Sequence, residues 1–463
     1  MDDEIINTEN FHELIPDEMI INTAGEYNCE DKRDRYLSLK ILFWGIILIS
    51  TDVKRSIYPQ IISILPKLFK KYGKGRVSVT RSALCKRYAN MNYEIFKDIY
   101  VKTLEKYGGL LDTDLGKTLS VFKDVHIVDS TSIKLSVLLE EVFSATNKNK
   151  AALKIHTKFS LKKFVPIDIE VGSQKEHDSN YDFVSEDDGI LYLTDLGYWD
   201  FDLFERIMNK GSSFVFRLKK GCVVRIEEVL FGDKMFEGKT LSEVIPFINT
   251  DLIDLKVKLN GISKPLRVVG LKHEGEWYFY LTCIFDERIT PEIIYQIYRL
   301  RWIIELVFND LKNAISLKTI AGENKNVVMI EIYAGLLFFL LTRIIMVLAA
   351  KKLTAEQKEK ICTEKIVVNE TEKRDMSKNT EKEEYTKEIK EKVDVKELEK
   401  PEDGYSIDKC VGYVKANAYD LFESIILHNR EQLEDTLLDI IYLINSQGFI
   451  EGRQGKKALS GVT

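Results

Sequence analysis

A change of hydrophobic period at residue 123 constrains this chain more than any other feature of its sequence. Upstream, residues 35–71 carry apolar side chains at helical spacing, through LKILFWGIILIS and the YPQIISILPKLFKK that follows. From 123 the pattern alternates. KDVHIVDSTSI, 123–133, reads as a strand ending at Asp129; KIHTKFSL and FVPIDIEV, with Lys162 and Lys163 between them, read as a hairpin; GILYLTD ends a further strand at Asp195. A polar connection through HDSNYDFVSEDD precedes that last strand. FDLFERIMNKG (201–211) is then a helix with a terminal glycine, and SFVFRL (213–218) is another strand. Three strands, a connection, a strand, a helix and a strand predict an α/β fold, a mixed sheet flanked by helices.

Between 220 and 286 alternation returns in DLKVKLN, PLRVVGL and EWYFYLTCIF, so a β-rich insertion precedes the stretch YRLRWIIELVFNDLK at 298–312. On a helical wheel the apolar residues of that stretch point in nearly every direction, which predicts a mostly buried helix. Tyr298, Arg301, Glu305 and Lys312 nevertheless share one stripe about 60° wide.

Asp129, Asp195 and Glu305 each follow a strongly apolar run, where an ionised carboxylate is costly unless paired or metal-bound. The first two sit at strand ends, the edge of an α/β sheet where sites form. Three converging carboxylates would suit Mg²⁺, which takes a few protein oxygens and leaves its other positions to water and phosphate oxygens. Two such ions would activate an attacking oxygen and stabilise a leaving one. Arg301 could fork onto a phosphate, Lys312 would be a point charge, and the Tyr298 hydroxyl a donor. Each residue also has a plain structural role open to it. Arg301 and Glu305 have the spacing of a helix salt bridge, Asp129 could bond its own backbone in DSTS, and Asp195 could cap a helix.

The formal net charge of −6 means that any nucleic-acid partner must meet local basic patches. Two such patches are present. RVSVTRSALCKRYANMNYEIFKDIY, 76–100, starts a helix at Thr80 or Ser82, breaks near Asn90 and Asn92, and begins a second helix. With Arg81, Lys86 and Arg87 it reads either as a helix-turn-helix or as a solvated basic face. NKNKAALKIHTKFSLKK offers alternating lysines beside the carboxylates, again either a phosphate track or a solvated strand face. His126, His156 and His177 sit in or near the core strands, where hydrogen bonding is the commoner role. Six scattered cysteines without a CxxC pair argue against a zinc site or disulfide scaffold and for a reducing compartment. MDDEIINTENFHEL lacks the features of a signal peptide, so a cytoplasmic location is expected. Glu331 and Arg343 interrupt the apolar run at 327–350, which is expected to be a buried core helix with no membrane partner.

Tyr298, Arg301, Glu305 and Lys312, with two, three and six residues between them, resemble the YREK signature of bacterial insertion-sequence transposases of the DDE class. HIVDSTSIKL around Asp129 and LTDLGYWDFDLFERIMNKGSSFVFRLKKG around Asp195 resemble that family's first and second catalytic blocks, and the resemblance covers roughly 115–345. It implies a ribonuclease-H-like core with Asp129, Asp195 and Glu305 as catalytic metal ligands. It further implies Mg²⁺-dependent nicking and strand transfer at terminal inverted repeats, Mn²⁺ being a substitute ion. Tyr298, Arg301 and Lys312 would then contact double-stranded DNA. Some members stack an aromatic on a flipped base. Trp277 is the candidate here, its other reading being a sheet-packing residue. A homodimer through the tail helices is also implied. A protein of the same descent that binds DNA without cutting it is the alternative. The expected division is a helical N-terminal region at 1–115, the core at 116–219, and the insertion at 220–286. The catalytic and buried helices follow at 287–350, then a charged, disordered tract at 351–403 and a helical C-terminal region at 404–463.

Overall fold

The computed structural model of the protein describes residues 14–31, 36–49, 57–71, 78–273, 275–314, 320 and 322–352. The expectations for the charged tract and the C-terminal helices fall beyond residue 352, outside the described residues. The described residues divide into two compact units. One holds those up to Leu111 together with those from Asp310 on, and the other is Asp112–Asn309.

The first unit begins with α1 (Asp17–Glu26), α2 (Leu39–Ile49), α3 (Ile57–Lys71), α4 (Arg81–Ala89) and α5 (Glu94–Tyr107). The Thr80 hydroxyl accepts the Ala83 N–H at 3.2 Å and so caps α4. The Asn92 side chain accepts the Glu94 N–H at 3.1 Å where α5 starts, so the expected break falls between the two helices. Buried aromatics join the bundle, Phe43 stacking on Phe96 at 4.9 Å between ring centres.

In the second unit a short α6 (Gly116–Leu119) leads into β1 (Asp124–Leu135), β2 (Ala151–Ser160), β3 (Val165–Ser173), β4 (Ile190–Thr194), α7 (Phe201–Asn209) and β5 (Ser213–Arg217). Then follow β6 (Val224–Phe231), α8 (Leu241–Val244), β7 (Leu252–Leu259), β8 (Leu266–His273), β9 (Glu276–Thr282), α9 (Pro291–Arg299) and α10 (Trp302–Ala314). The division between the units falls inside α10. Finally α11 (Lys325–Lys352) returns to the first unit and packs against α5. It is the one described helix long and apolar enough to cross a membrane, and 94% of its most apolar window is buried inside the protein, as a core helix requires.

Among the described residues the strands form one sheet in the order β3-β2-β1-β4-β5-β9-β8-β7-β6. β1, β4 and β5 run parallel, and β2 and β3 are antiparallel additions beside β1. This mixed arrangement of the first five strands is the mixed α/β sheet that the sequence predicts. All five residues of β4 are buried, which explains why ILYLT is a continuous apolar run rather than an alternating one.

Three features depart from the sequence expectation. First, β1 continues six residues beyond Asp129. What ends there is its pairing with β4, whose last partner is Thr194 opposite Val128; farther on, β1 pairs only with β2. Second, the β-rich insertion extends the core sheet, because β9 pairs antiparallel with β5 and the Thr282 hydroxyl donates to the Phe214 carbonyl at 2.6 Å. Gly270 in β8 serves this extension, since a Cβ there would lie 2.4 Å from the Phe279 ring. Third, the helix expected over 298–312 is two helices. Between them the N–H groups of Leu300, Arg301, Ile303 and Ile304 bond carbonyls three residues back, a tightened turn that shifts the phase of the wheel. Trp302, on the wheel one of the buried set, is 56% exposed, whereas Ile303, Ile304, Val307, Phe308 and Leu311 are buried as expected.

A buried ion pair ties the insertion to α9. Arg267 on β8 donates to both oxygens of Asp254 on β7 at 2.9 and 2.8 Å, and its remaining nitrogen donates to the carbonyls of Ile284 and Ile289, which lead into α9. Both side chains are 7% exposed. Arg267→Ala would strand a buried carboxylate and two carbonyls, at a cost of about 3–5 kcal/mol. Chemical denaturation followed by tryptophan fluorescence should show a correspondingly earlier transition, and Arg267→Lys, which lacks the fork, should recover little of it.

Candidate active site

Asp129 and Asp195 reach the same edge of the sheet because each directly follows the last paired residue of adjacent parallel strands, Val128 and Thr194. Asp129 accepts the Ser130 N–H at 2.7 Å on one oxygen and a guanidinium N–H of Arg301 at 3.0 Å on the other. Arg301 lies in the tight turn between α9 and α10, and its second Nη donates to Glu305 at 2.7 Å. One guanidinium therefore bridges a strand carboxylate and a helix carboxylate. The side chains of Asp129 and Arg301 are 15% and 18% exposed and that of Glu305 is 34% exposed, so the bridge sits at the floor of an open edge.

Burial raises the Asp129 carboxyl from an ordinary 3.8 to about 6; the Ser130 N–H and Arg301 oppose the rise, and the fields of Asp195 and Glu305 add to it. Three acids thus act on one another at this point. Burial also raises the Tyr298 phenol, on the last turn of α9; Arg301 and Arg217 lower it and Asp195 raises it, so Tyr298 lies in the same field. Its ring is 5.0 Å from that of Tyr280 on β9. Burial works against the Arg301 charge, but the Glu305 hydrogen bond and the surrounding negative groups hold the guanidinium above its usual value.

The structure thus gathers Asp129, Asp195, Tyr298, Arg301 and Glu305. Lys312 lies on α10 about 10 Å along the axis from Glu305. Arg301 grips two carboxylates here, because two acids in a partly buried place require a cation between them. Among the described residues no group of three or more His, Cys, Asp or Glu side chains is close enough to hold a metal ion as the side chains stand. Asp195 also fulfils its plain structural role, its Oδ1 accepting the Gly197 N–H at 2.8 Å and capping a short 3-10 turn.

Trp277 is half-buried on β9. It stacks on Phe279 at 5.5 Å and packs against the core, as a sheet-packing residue does. The opposite face of β9 carries Tyr278, which lies beneath the Arg217 guanidinium at 5.3 Å. In the helical unit Lys86 is exposed, Arg81 lies over the Tyr58 ring at 5.7 Å, and Arg87 pairs with Asp31. Much of the lysine run is engaged internally. Lys154 pairs with Asp178, Lys158 reaches the Phe183 carbonyl and the Ser185 hydroxyl, and Lys162 and Lys163 face Asp112. His126 lies 3.3 Å from Asp124 and His156 3.0 Å from the Tyr198 hydroxyl, both buried, and the exposed His177 meets the Ser179 hydroxyl at 2.7 Å.

Sequence reading missed Asp178, which accepts the Ser130 hydroxyl at 3.0 Å directly beside Asp129. It stands in HDSN within a connection that no periodicity marks.

Residues 121–341 match the family model for the transposase DDE domain. The chain is 21% identical over 408 residues to the transposase for insertion sequence element IS1151 of Clostridium perfringens, an alignment covering 78% of this chain and 82% of that one. It is 24% identical over 229 residues to the putative transposase y4zB of Sinorhizobium fredii, covering 48% and 60%. It is 21% identical over 264 residues to a probable transposase for insertion sequence element IS5377 of Geobacillus stearothermophilus, covering 57% and 66%. A piggyBac transposase synaptic complex with hairpin DNA aligns over 94% of this chain and 86% of that one, at 10% identity and a TM-score of 0.41, too low to bear on fold or function. The chain is thus similar over residues 121–341 to the transposase DDE domain, and over most of its length to a transposase of a bacterial insertion sequence.

The raised Asp129 carboxyl makes stability depend on pH with a definite sign. The folded protein binds this proton more tightly than the unfolded chain does, so the contribution of Asp129 is most favourable below pH 4 and is lost as pH rises through about 6. The loss is about 2–3 kcal/mol. Asp129→Asn should therefore be more stable than the wild type at pH 7.5 in the absence of divalent ions, and the difference should vanish near pH 4. Thermal melts across that range measure it.

Proposed function

We propose that Asp129, Asp195 and Glu305 together hold divalent ions, Mg²⁺ foremost and Mn²⁺ as a substitute, and that the site nicks DNA at the terminal inverted repeats of an insertion sequence and transfers the freed strand. The observation that carries this reading is that one guanidinium bridges Asp129 and Glu305 while Asp195 adds its field at Asp129. Burial raises Asp129 and the fields of Asp195 and Glu305 add to the rise, and hard oxygen donors in this number are what a small divalent cation takes. Arg301 occupies the position of a counter-cation, and its side chain has to leave the carboxylates when ions bind. When bound, such ions polarise the phosphodiester and stabilise both the attacking and the leaving oxygen.

The other work falls to side chains of this chain. Released from Asp129 and Glu305, Arg301 can fork onto a phosphate with two parallel hydrogen bonds. The Tyr298 hydroxyl, kept protonated by burial, donates to a neighbouring phosphate oxygen. Lys312, farther along α10, adds a point charge to the same strand. Arg81 and Lys86 on α4 supply sequence-independent grip on the duplex, with Arg87 joining them if its pairing with Asp31 opens. Two copies of the chain acting together would present two element ends to each other, consistent with a homodimer in the DNA complex.

Asp129→Ala and Glu305→Ala should leave the circular dichroism unchanged and bring Mg²⁺-dependent nicking of an end-containing duplex below detection. Retained nicking by either variant would overturn the assignment. Wild-type protein that shifts such a duplex on a gel but cuts it in neither Mg²⁺ nor Mn²⁺ would instead be a silent DNA-binding relative. Arg301→Ala should lower the nicking rate by about 10²–10³-fold, the loss seen when one preorganised donor is removed. Arg301→Lys should recover little, since an ammonium cannot replace the fork.

A further inference from the structure

We propose that Asp178, a carboxylate outside the Asp129, Asp195 and Glu305 set, is a positioning residue that fixes the two strand-borne acids relative to each other; this rests on the reading of those acids as metal ligands.

Asp178 opens a one-turn 3-10 segment between β3 and β4, and its side chain meets three elements at once. Its Oδ1 accepts the Ser130 hydroxyl at 3.0 Å and the Lys154 ammonium at 3.0 Å, and lies 3.8 Å from the His156 Nδ1. Its Oδ2 faces Gly197, where a Cβ would lie 2.8 Å from Asp178 and 3.0 Å from the Asp195 Oδ1. The carboxylates of Asp178 and Asp195 therefore approach Gly197 together, and any side chain at 197 would push them apart.

Ser130 is the link to Asp129. Its N–H holds the Asp129 Oδ1 at 2.7 Å while its hydroxyl holds Asp178, so the orientation of one acid is passed through a single residue to the other. In the register of β1 and β2, Ser130 lies opposite His156 and Asp129 opposite Thr157, so successive side chains of β1 take opposite faces of the sheet. Asp129 meets Arg301 on its own face, and Ser130 meets Asp178 on the other.

The far face is closed by a second contact. Tyr198, three residues after Asp195, is buried, and its hydroxyl is 3.0 Å from the His156 Nδ1. Burial holds the His156 imidazole below its usual value, so Lys154 is the cation that balances Asp178. Ser130 and Lys154 come from β1 and β2, and Gly197 and Tyr198 from the turn after β4. Asp178 spans all of these, and so braces the spacing that two ligands of one ion require. Groups that orient metal ligands are typically worth about 10–100-fold in affinity or activity.

The test uses the full chain and Mn²⁺ binding read directly by electron paramagnetic resonance, alongside nicking kinetics on an end-containing duplex. Asp178→Asn keeps the shape and removes the charge; Ser130→Ala removes the hydroxyl and keeps the N–H to Asp129. Each variant should weaken Mn²⁺ binding by about 10-fold and lower kcat with little change in KM for DNA. The double variant should lose scarcely more than either single one, because both cut the same link. A merely structural role would lower the melting temperature and leave the Mn²⁺ affinity in place. Mn²⁺ affinity within two-fold of wild type in both variants would overturn the role of Asp178. A wild type that binds no Mn²⁺, or binds it equally well as Asp129→Ala, would instead overturn the metal-site reading beneath it.

Discussion

Two acids that share one guanidinium define the candidate site. Asp129 and Glu305 come from a strand and a helix far apart in sequence, and Arg301 holds both at hydrogen-bond distance. An ionised carboxylate in so covered a place is tolerable only with a cation beside it. The residual strain is visible in Asp129, which burial and its acidic neighbours push up to about 6 despite the guanidinium.

Much of the second unit can be understood as arranging that site. The parallel register of β1 and β4 brings Asp129 level with Asp195. The tight turn between α9 and α10 places Arg301 just before the helix that bears Glu305, with the i,i+4 spacing intact. The insertion adds β9 directly to β5, and the Arg267–Asp254 pair anchors the segment that starts α9, the helix carrying Tyr298. The face of β1 turned away from Arg301 holds a polar network of Ser130, Asp178, Lys154, His156 and Tyr198.

The legibility of these parts differs for physical reasons. Asp129 and Asp195 could be read because buried strands make continuous apolar runs, and an acid directly after such a run is conspicuous in HIVD and LYLTD, although β1 itself runs on past Asp129. Arg301 and Glu305 could be paired from their spacing, which survives the helix break because the turn between α9 and α10 stays close to helical. The exposure of Trp302 could not be read, since a few bonds shortened to three residues change which face a side chain takes. Trp277, a candidate for base stacking from the resemblance and its place in the insertion, is half-buried on β9 and stacked on Phe279.

By itself the sequence determined the α/β order of elements and marked three acids, a cation and a phenol as candidates, because period and spacing are local properties of a chain. The tertiary structure alone decided that Arg301 faces two carboxylates, that the insertion is part of the core sheet, and that Asp178 stands behind Asp129 and Asp195. Those are matters of pairing between distant segments. A carboxylate in a polar loop looks like any other until β1, β2 and the turn after β4 are folded around it, since only then do Ser130, Lys154 and Gly197 come within its reach.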